Sequence, residues 1–221
     1  MGLRWVFFDV GGVLVNDEKT SGYYVSAIQR LLATFDIKAS FDAVERAQLE
    51  AAQSFGSVTR AILMALTPDE GIRDRIHSEL WMHVQNLDDP YPEARAVLSQ
   101  LSRRFRLGVI ANQLPHSRDR LKRFGFSEYL SVYALSDELR MSKPDEAIFT
   151  YALKAANCRP EEAMMVGDRI DNDIIPAKRL GMRTVRVLRG LFRSQRPRDE
   201  QELPDAVIVS LAELPDLELL R

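Results

Sequence analysis

Asp9 ends an apolar run, Trp5-Val6-Phe7-Phe8, and is followed by Val10-Gly11-Gly12. The run reads as a buried strand. A carboxylate at the carboxyl end of a parallel strand lies in the crevice where open α/β sheets hold ligands. Glycines beside it let the backbone approach a bound group. Strand–Asp–Gly–Gly also occurs in plain turns, so the chemistry depends on what converges with it. Three further groups qualify: Ala111-Asn112 after Leu107-Gly108-Val109-Ile110, an isolated Ser142-Lys143-Pro144, and Gly167-Asp168-Arg169-Ile170-Asp171-Asn172-Asp173 after Ala163-Met164-Met165-Val166. Each has a plainer reading as well. Asp168 and Asp173 can cap a helix, and a lysine before proline is commonly solvated loop.

In order and spacing, these four groups resemble the motifs of the haloacid dehalogenase-like hydrolase superfamily, over most of the chain. The resemblance implies a magnesium-dependent phosphatase in which Asp9 is the nucleophile and forms a phospho-aspartyl intermediate. A carboxylate nucleophile divides one hard transfer into two easier ones. The cation neutralises the approach of an anionic oxygen to a dianionic phosphate. By the same resemblance Asp9, the carbonyl of Gly11, Asp168 and Asp173 hold Mg2+. Lys143 stabilises phosphate and Asp9 as a point charge, and positions 111 and 112, with the amides after Asn112, bind phosphate.

Two positions depart from the pattern. Gly11 stands where the family usually has a second carboxylate that protonates the leaving group, help worth roughly 10²–10⁴-fold. Asp17, His116 and Asp171 are the substitutes weighed, each with a surface or capping role as the plainer reading. Ala111 replaces a serine or threonine, removing a hydroxyl donor worth on the order of 1 kcal/mol. These departures keep two alternatives open: a metal-free dehalogenase attacking carbon, and a catalytically weak pseudoenzyme that binds phosphate or protein.

The elements that must position these residues alternate. Helix and strand succeed each other from residue 92 onward, which argues a parallel sheet with helices on both faces. The expected fold is α/β, a Rossmann-like three-layer α/β/α core formed by residues 1–17 and 89–221. Between them, residues 18–88 read as four helices. Tyr24, Val25, Ile28, Leu31, Leu32 and Phe35 form a stripe of helical period, Ser40 caps the second helix, and the third runs through Val58–Leu63. Thr67-Pro68-Asp69-Glu70 reads as a cap, an N1 proline and a capping-box glutamate, opening a fourth helix with Ile72, Ile76, Leu80 and Val84 on one face. A block inserted after the first strand is expected to be a lid, the C1-type cap of the resembled superfamily. Tyr23, Tyr24, Trp81 and His83 are its possible substrate contacts, with ordinary packing as their plainer role.

Composition sets the bounds. The chain has 221 residues, 46% hydrophobic, with 30 basic and 32 acidic side chains and a net charge of −2. That balance argues against nucleic acid or membrane as a partner; a small phosphorylated metabolite is the partner the resemblance implies. No apolar run approaches the ~20 residues of a membrane span, and with a strand expected so early no signal peptide is expected. One cysteine, Cys158, suits a reducing compartment, so a soluble, cytoplasmic protein is expected. Arg186, Arg189, Arg193, Arg196 and Arg198 read as solvated surface beside Asp199, Glu200 and Glu202. No motif encodes the substrate's identity or the oligomeric state.

Overall fold

The computed structural model describes residues 2–83 and 87–220, with Trp81 described by its backbone alone. Contacts divide the chain into two units, residues 1–16 with 89–221 and residues 17–88.

In the first unit, β1 (Trp5–Phe8) runs up the middle of a sheet. A two-residue strand, β2 (Val15–Asn16), pairs antiparallel with β3 (Asp89–Pro90). The remaining strands are β4 (Arg106–Ala111), β5 (Leu130–Leu135), β6 (Ala163–Gly167), β7 (Arg183–Val187) and β8 (Ala206–Ile208). The main sheet has the order β5-β4-β1-β6-β7-β8, and every pairing in it is parallel.

A strand covered on both faces must be apolar throughout, and all four residues of β1 are buried. Because side chains alternate, Val6 and Phe8 pack on one face with Val97, Leu98, Leu101 and Leu214. Trp5 and Phe7 pack on the other with Ile148, Phe149, Leu153 and Ala177. These two cores make the three layers.

The second unit holds α1 (Glu18–Ala33), α2 (Phe41–Gln53), α3 (Val58–Leu66) and α4 (Glu70–Glu79). Val25, Ile28, Leu32, Val44, Ile62, Leu63, Ile76 and Leu80 form its core. Ser40 caps α2 by accepting from the Ala43 amide at 3.2 Å. The start of α4 differs from expectation. Asp69, not Thr67, is its N-cap, accepting from the Ile72 amide at 3.0 Å. A carboxylate is the stronger acceptor and favours the positive helix end, while Thr67 instead accepts from the Asp69 amide. The helix ends at Glu79, a 3₁₀ turn covers Leu80–Met82, and Val84 lies outside the described residues.

The first unit adds α5 (Ala94–Leu101), α6 (Ser117–Arg123), α7 (Ser136–Leu139), α8 (Glu146–Ala156) and α9 (Ile175–Leu180). A wide π-type turn, Ile170–Ile174, leads into α9. Among the described residues, no helix is long and apolar enough to cross a membrane.

Candidate active site

Sheet register brings the chemistry to one edge. Phe8 is opposite Val109 on one side and Val166 on the other. The residues after these three strands, starting with Asp9, Asn112 and Asp168, therefore emerge together at the carboxyl ends. Asp9 extends the ladder by one bond, its amide donating to Val166 O at 2.9 Å.

The Asp9 carboxylate is held through one oxygen. Its Oδ1 accepts from the Val10 amide at 2.7 Å and lies 2.9 Å from Lys143 Nζ. The same ammonium donates to Asp173 Oδ1 at 2.6 Å, with the Lys143 side chain 1% exposed. Asp173 Oδ2 accepts from the Arg169 amide at 2.9 Å, so this carboxylate caps its own turn as well. Carboxylate oxygens of Asp9, Asp168 and Asp173 lie within 4.8 Å of one another, and all three residues are buried.

Two glycines make room for this convergence. Gly12 has φ +69°, and a Cβ there would come 2.7 Å from Asp168 Oδ2. A Cβ on Gly167 would overlap the Asp173 side chain.

The electrostatics follow from burial. Desolvation raises the Asp173 carboxyl to about 6; the Lys143 charge opposes this and the Asp9 charge adds to it. Burial works against the Lys143 charge, but Asp173 and Asp9 outweigh it and hold its pKa above the ordinary value. Three buried carboxylates thus converge, two of them on the Lys143 ammonium, with the Arg169 and Arg186 guanidiniums acting on Asp168; a hard divalent cation would relieve the repulsion between them. An all-oxygen donor set fits Mg2+ and disfavours softer metals.

Four of the residues singled out from the sequence, Asp9, Lys143, Asp168 and Asp173, are therefore in one cluster. Gly11 lies on the turn just after Asp9, bridged to Val15, and Ala111 is fully buried at the end of β4. The Asn112 side chain is engaged within the protein. Its Oδ1 accepts from the Lys143 amide at 2.8 Å and its Nδ2 donates to Lys143 O at 2.9 Å, so both ends of the amide brace the lysine loop. The next amide, Gln113 N, donates to Ser136 Oγ at 2.9 Å.

Asp171 is neither a surface group nor a free acid. Arg169 bonds both its oxygens, at 3.0 and 2.6 Å, and Gln195 Nε2 adds a third bond at 3.2 Å. His116 is exposed, at φ +66°. Asp17 sits at the N-cap position of α1 without a side-chain cap bond.

The arginine run also needs correction. Arg186 is 3% exposed, with Nε on Asp168 O at 3.2 Å, Nη1 on Gln195 O at 3.1 Å and Nη2 on Phe192 O at 3.0 Å. Three carbonyls replace the water its guanidinium gives up. Arg189 pairs with Glu93 at 2.5 Å, while Arg193, Arg196 and Arg198 are exposed. An arginine inside an apolar strand was the available signal for Arg186; Gln195 had none.

In the helical unit, the Tyr24 hydroxyl meets Thr59 Oγ1 at 2.5 Å and burial pushes its pKa to about 12. Tyr23 lies under the Arg30 guanidinium at 5.7 Å, His83 is exposed, and the Trp81 side chain is outside the described residues.

A family model of haloacid dehalogenase-like hydrolases matches residues 3–181. A glyceraldehyde 3-phosphate phosphatase of Methanopyrus kandleri is 37% identical over 130 residues, 58% of this chain and 56% of the relative. The matched stretch thus spans about half the length of that relative. Among solved structures, one described as a predicted phosphoglycolate phosphatase from Haemophilus somnus superposes with TM-score 0.74 at 20% identity, covering 97% of both chains. A HAD-type hydrolase from Bacillus subtilis, YfnB, solved bound to magnesium, superposes with TM-score 0.66 at 19% identity over 100% of both. These two likenesses speak to the fold, and the family match to descent: the chain belongs to the haloacid dehalogenase-like hydrolases.

Proposed function

We propose that this protein is a magnesium-dependent phosphatase acting on a small phosphorylated metabolite through a phospho-aspartyl intermediate on Asp9. The observation that carries the reading is the convergence of Asp9, Asp168 and Asp173 within 4.8 Å, with Lys143 bonded to two of them. Support also comes from the phosphatase name of the Methanopyrus relative and the magnesium in the Bacillus structure.

Asp9, Asp168, Asp173 and the Gly11 carbonyl would hold Mg2+, which would supply charge neutralisation for an incoming phosphate dianion. Val10 N and Lys143 Nζ fix the plane of the Asp9 carboxylate through Oδ1, orienting the group for in-line attack. A carboxylate oxygen bonds phosphorus as the ester oxygen departs with the bond's electron pair; water then cleaves the acyl phosphate. Lys143 remains protonated throughout, offsetting charge on Asp9 and the transferring group.

Gly11 offers no proton to the departing alkoxide, and Asp171 cannot replace it, since its oxygens are already bonded. With no acid supplied by Gly11 or Asp171, esters whose alcohol leaves as a stable anion should turn over fastest. Residues 18–88 serve as the cap that selects the substrate. The single free thiol, Cys158, suits a cytoplasmic setting.

Hydrolysis of p-nitrophenyl phosphate, measured with magnesium and with EDTA, tests this. Magnesium-dependent turnover abolished in Asp9→Asn is the expected result. Metal-free release of halide from a 2-haloacid would support the dehalogenase instead, and silence in both assays a binding role.

A further inference from the structure

Residues 186–195 follow the stretch that the family model matches, residues 3–181, yet they grip the loop that carries two of the three clustered carboxylates. Gln195 is fully buried. Its Oε1 accepts from the Ile170 amide at 2.9 Å and its Nε2 donates to Asp171 Oδ1 at 3.2 Å. Arg186 stands opposite Gly167 in the β6–β7 register, holding the Asp168 carbonyl with one nitrogen and the carbonyls of Phe192 and Gln195 with the others. The Arg169 guanidinium lies 4.2 Å from the centroid of the Phe192 ring. The loop from 168 to 171 is thus tied to this segment at a carbonyl, an amide, a carboxylate and a guanidinium.

From this geometry we infer that residues 186–195 form a strap whose Gln195 and Arg186 are positioning residues for the cation site, holding Asp168 and Asp173 together against their mutual repulsion. The inference rests on the magnesium phosphatase reading. Carboxylates this close push apart when no cation lies between them, and only the surrounding bonds oppose the relaxation. A loop freed from the strap must be drawn back together each time the cation binds, and affinity falls by that reorganisation. Partners that orient ligands in this way are worth about 10–100-fold in metal affinity or activity when lost.

Full-length Gln195→Met, nearly isosteric but without hydrogen bonds, tests this beside Arg186→Lys, which keeps the charge but cannot span three carbonyls. Mg2+ is titrated into each folded variant by calorimetry, and p-nitrophenyl phosphate hydrolysis is followed across magnesium concentrations. The expected result is a Mg2+ dissociation constant raised about tenfold or more, an unchanged KM for the ester, and a rate restored by excess magnesium. Arg95→Ala, which removes an exposed pair with Glu128, leaves the dissociation constant where it is. A strap that only stabilises the fold would lower the melting temperature of Gln195→Met without moving the Mg2+ constant, and that result overturns the inference. If wild type itself neither binds Mg2+ nor hydrolyses the ester, the phosphatase reading fails and takes the strap's role with it. Tight wild-type binding matched by both variants sinks the strap alone.

Discussion

Replacing Lys143 by methionine removes one positive charge from a site holding three carboxylates. The ammonium sits 2.9 Å from Asp9 and 2.6 Å from Asp173, and its side chain is 1% exposed. Methionine keeps much of the volume and none of the charge. Breaking a buried ion pair from one side costs about 3–5 kcal/mol, because the partner stays buried and unpaired. For a chain of this size each kcal/mol moves the melting temperature by about 2–4 °C, so the variant should melt roughly 6–20 °C lower in EDTA at pH 7.5.

The pH dependence gives the argument its sign. Lys143 has a raised pKa, so its contribution is complete at neutral pH and is lost only as pH climbs past its folded value. The unpaired carboxylates of the variant can recover by taking up protons, so the deficit should shrink at pH 5. Magnesium should compensate too, and its stabilising increment should be larger in Lys143→Met than in wild type, because the ion then meets three carboxylates and no ammonium. Thermal melts at pH 5 and 7.5, each with EDTA and with magnesium, read all three effects. A deficit equal at both pH values, or a variant as stable as wild type in EDTA, refutes the buried-charge reasoning.

Gly167→Ala should place its Cβ against the Asp173 side chain, displace that carboxylate and lower Mg2+-dependent turnover by at least ~10²-fold, a misplacement cost of the size seen when reacting groups shift by about 1 Å; turnover within threefold of wild type would contradict it. Asp173 carries its proton up to about pH 6, whereas the unfolded chain releases it near 3.9. Cation-free stability should therefore fall as pH rises from about 4 through 6 and level off above, as melts in EDTA would show. Because Mg2+ must displace that proton, its affinity should weaken up to about tenfold per unit below pH 6; calorimetry at pH 5 and 7 checks this.

Local patterning made much of the architecture legible. The apolar run before Asp9 had to be a strand covered on both faces, and alternating helices and strands after residue 92 required a parallel sheet. Asp9 and Asp168 directly follow apolar strands, whereas Lys143, in a loop between two helices, and Asp173, in the turn before α9, stand out in the sequence only through the resemblance to the haloacid dehalogenase-like motifs. Tertiary structure decided the rest. Asn112 braces the main chain of Lys143; Asp171 is consumed by Arg169 and Gln195; Arg186 is buried among three carbonyls. Periodicity records which face of an element is apolar. The partners that satisfy these buried polar groups lie anywhere from two residues away, as Arg169 does from Asp171, to thirty-one, as Lys143 does from Asn112, and no periodic pattern carries their identity.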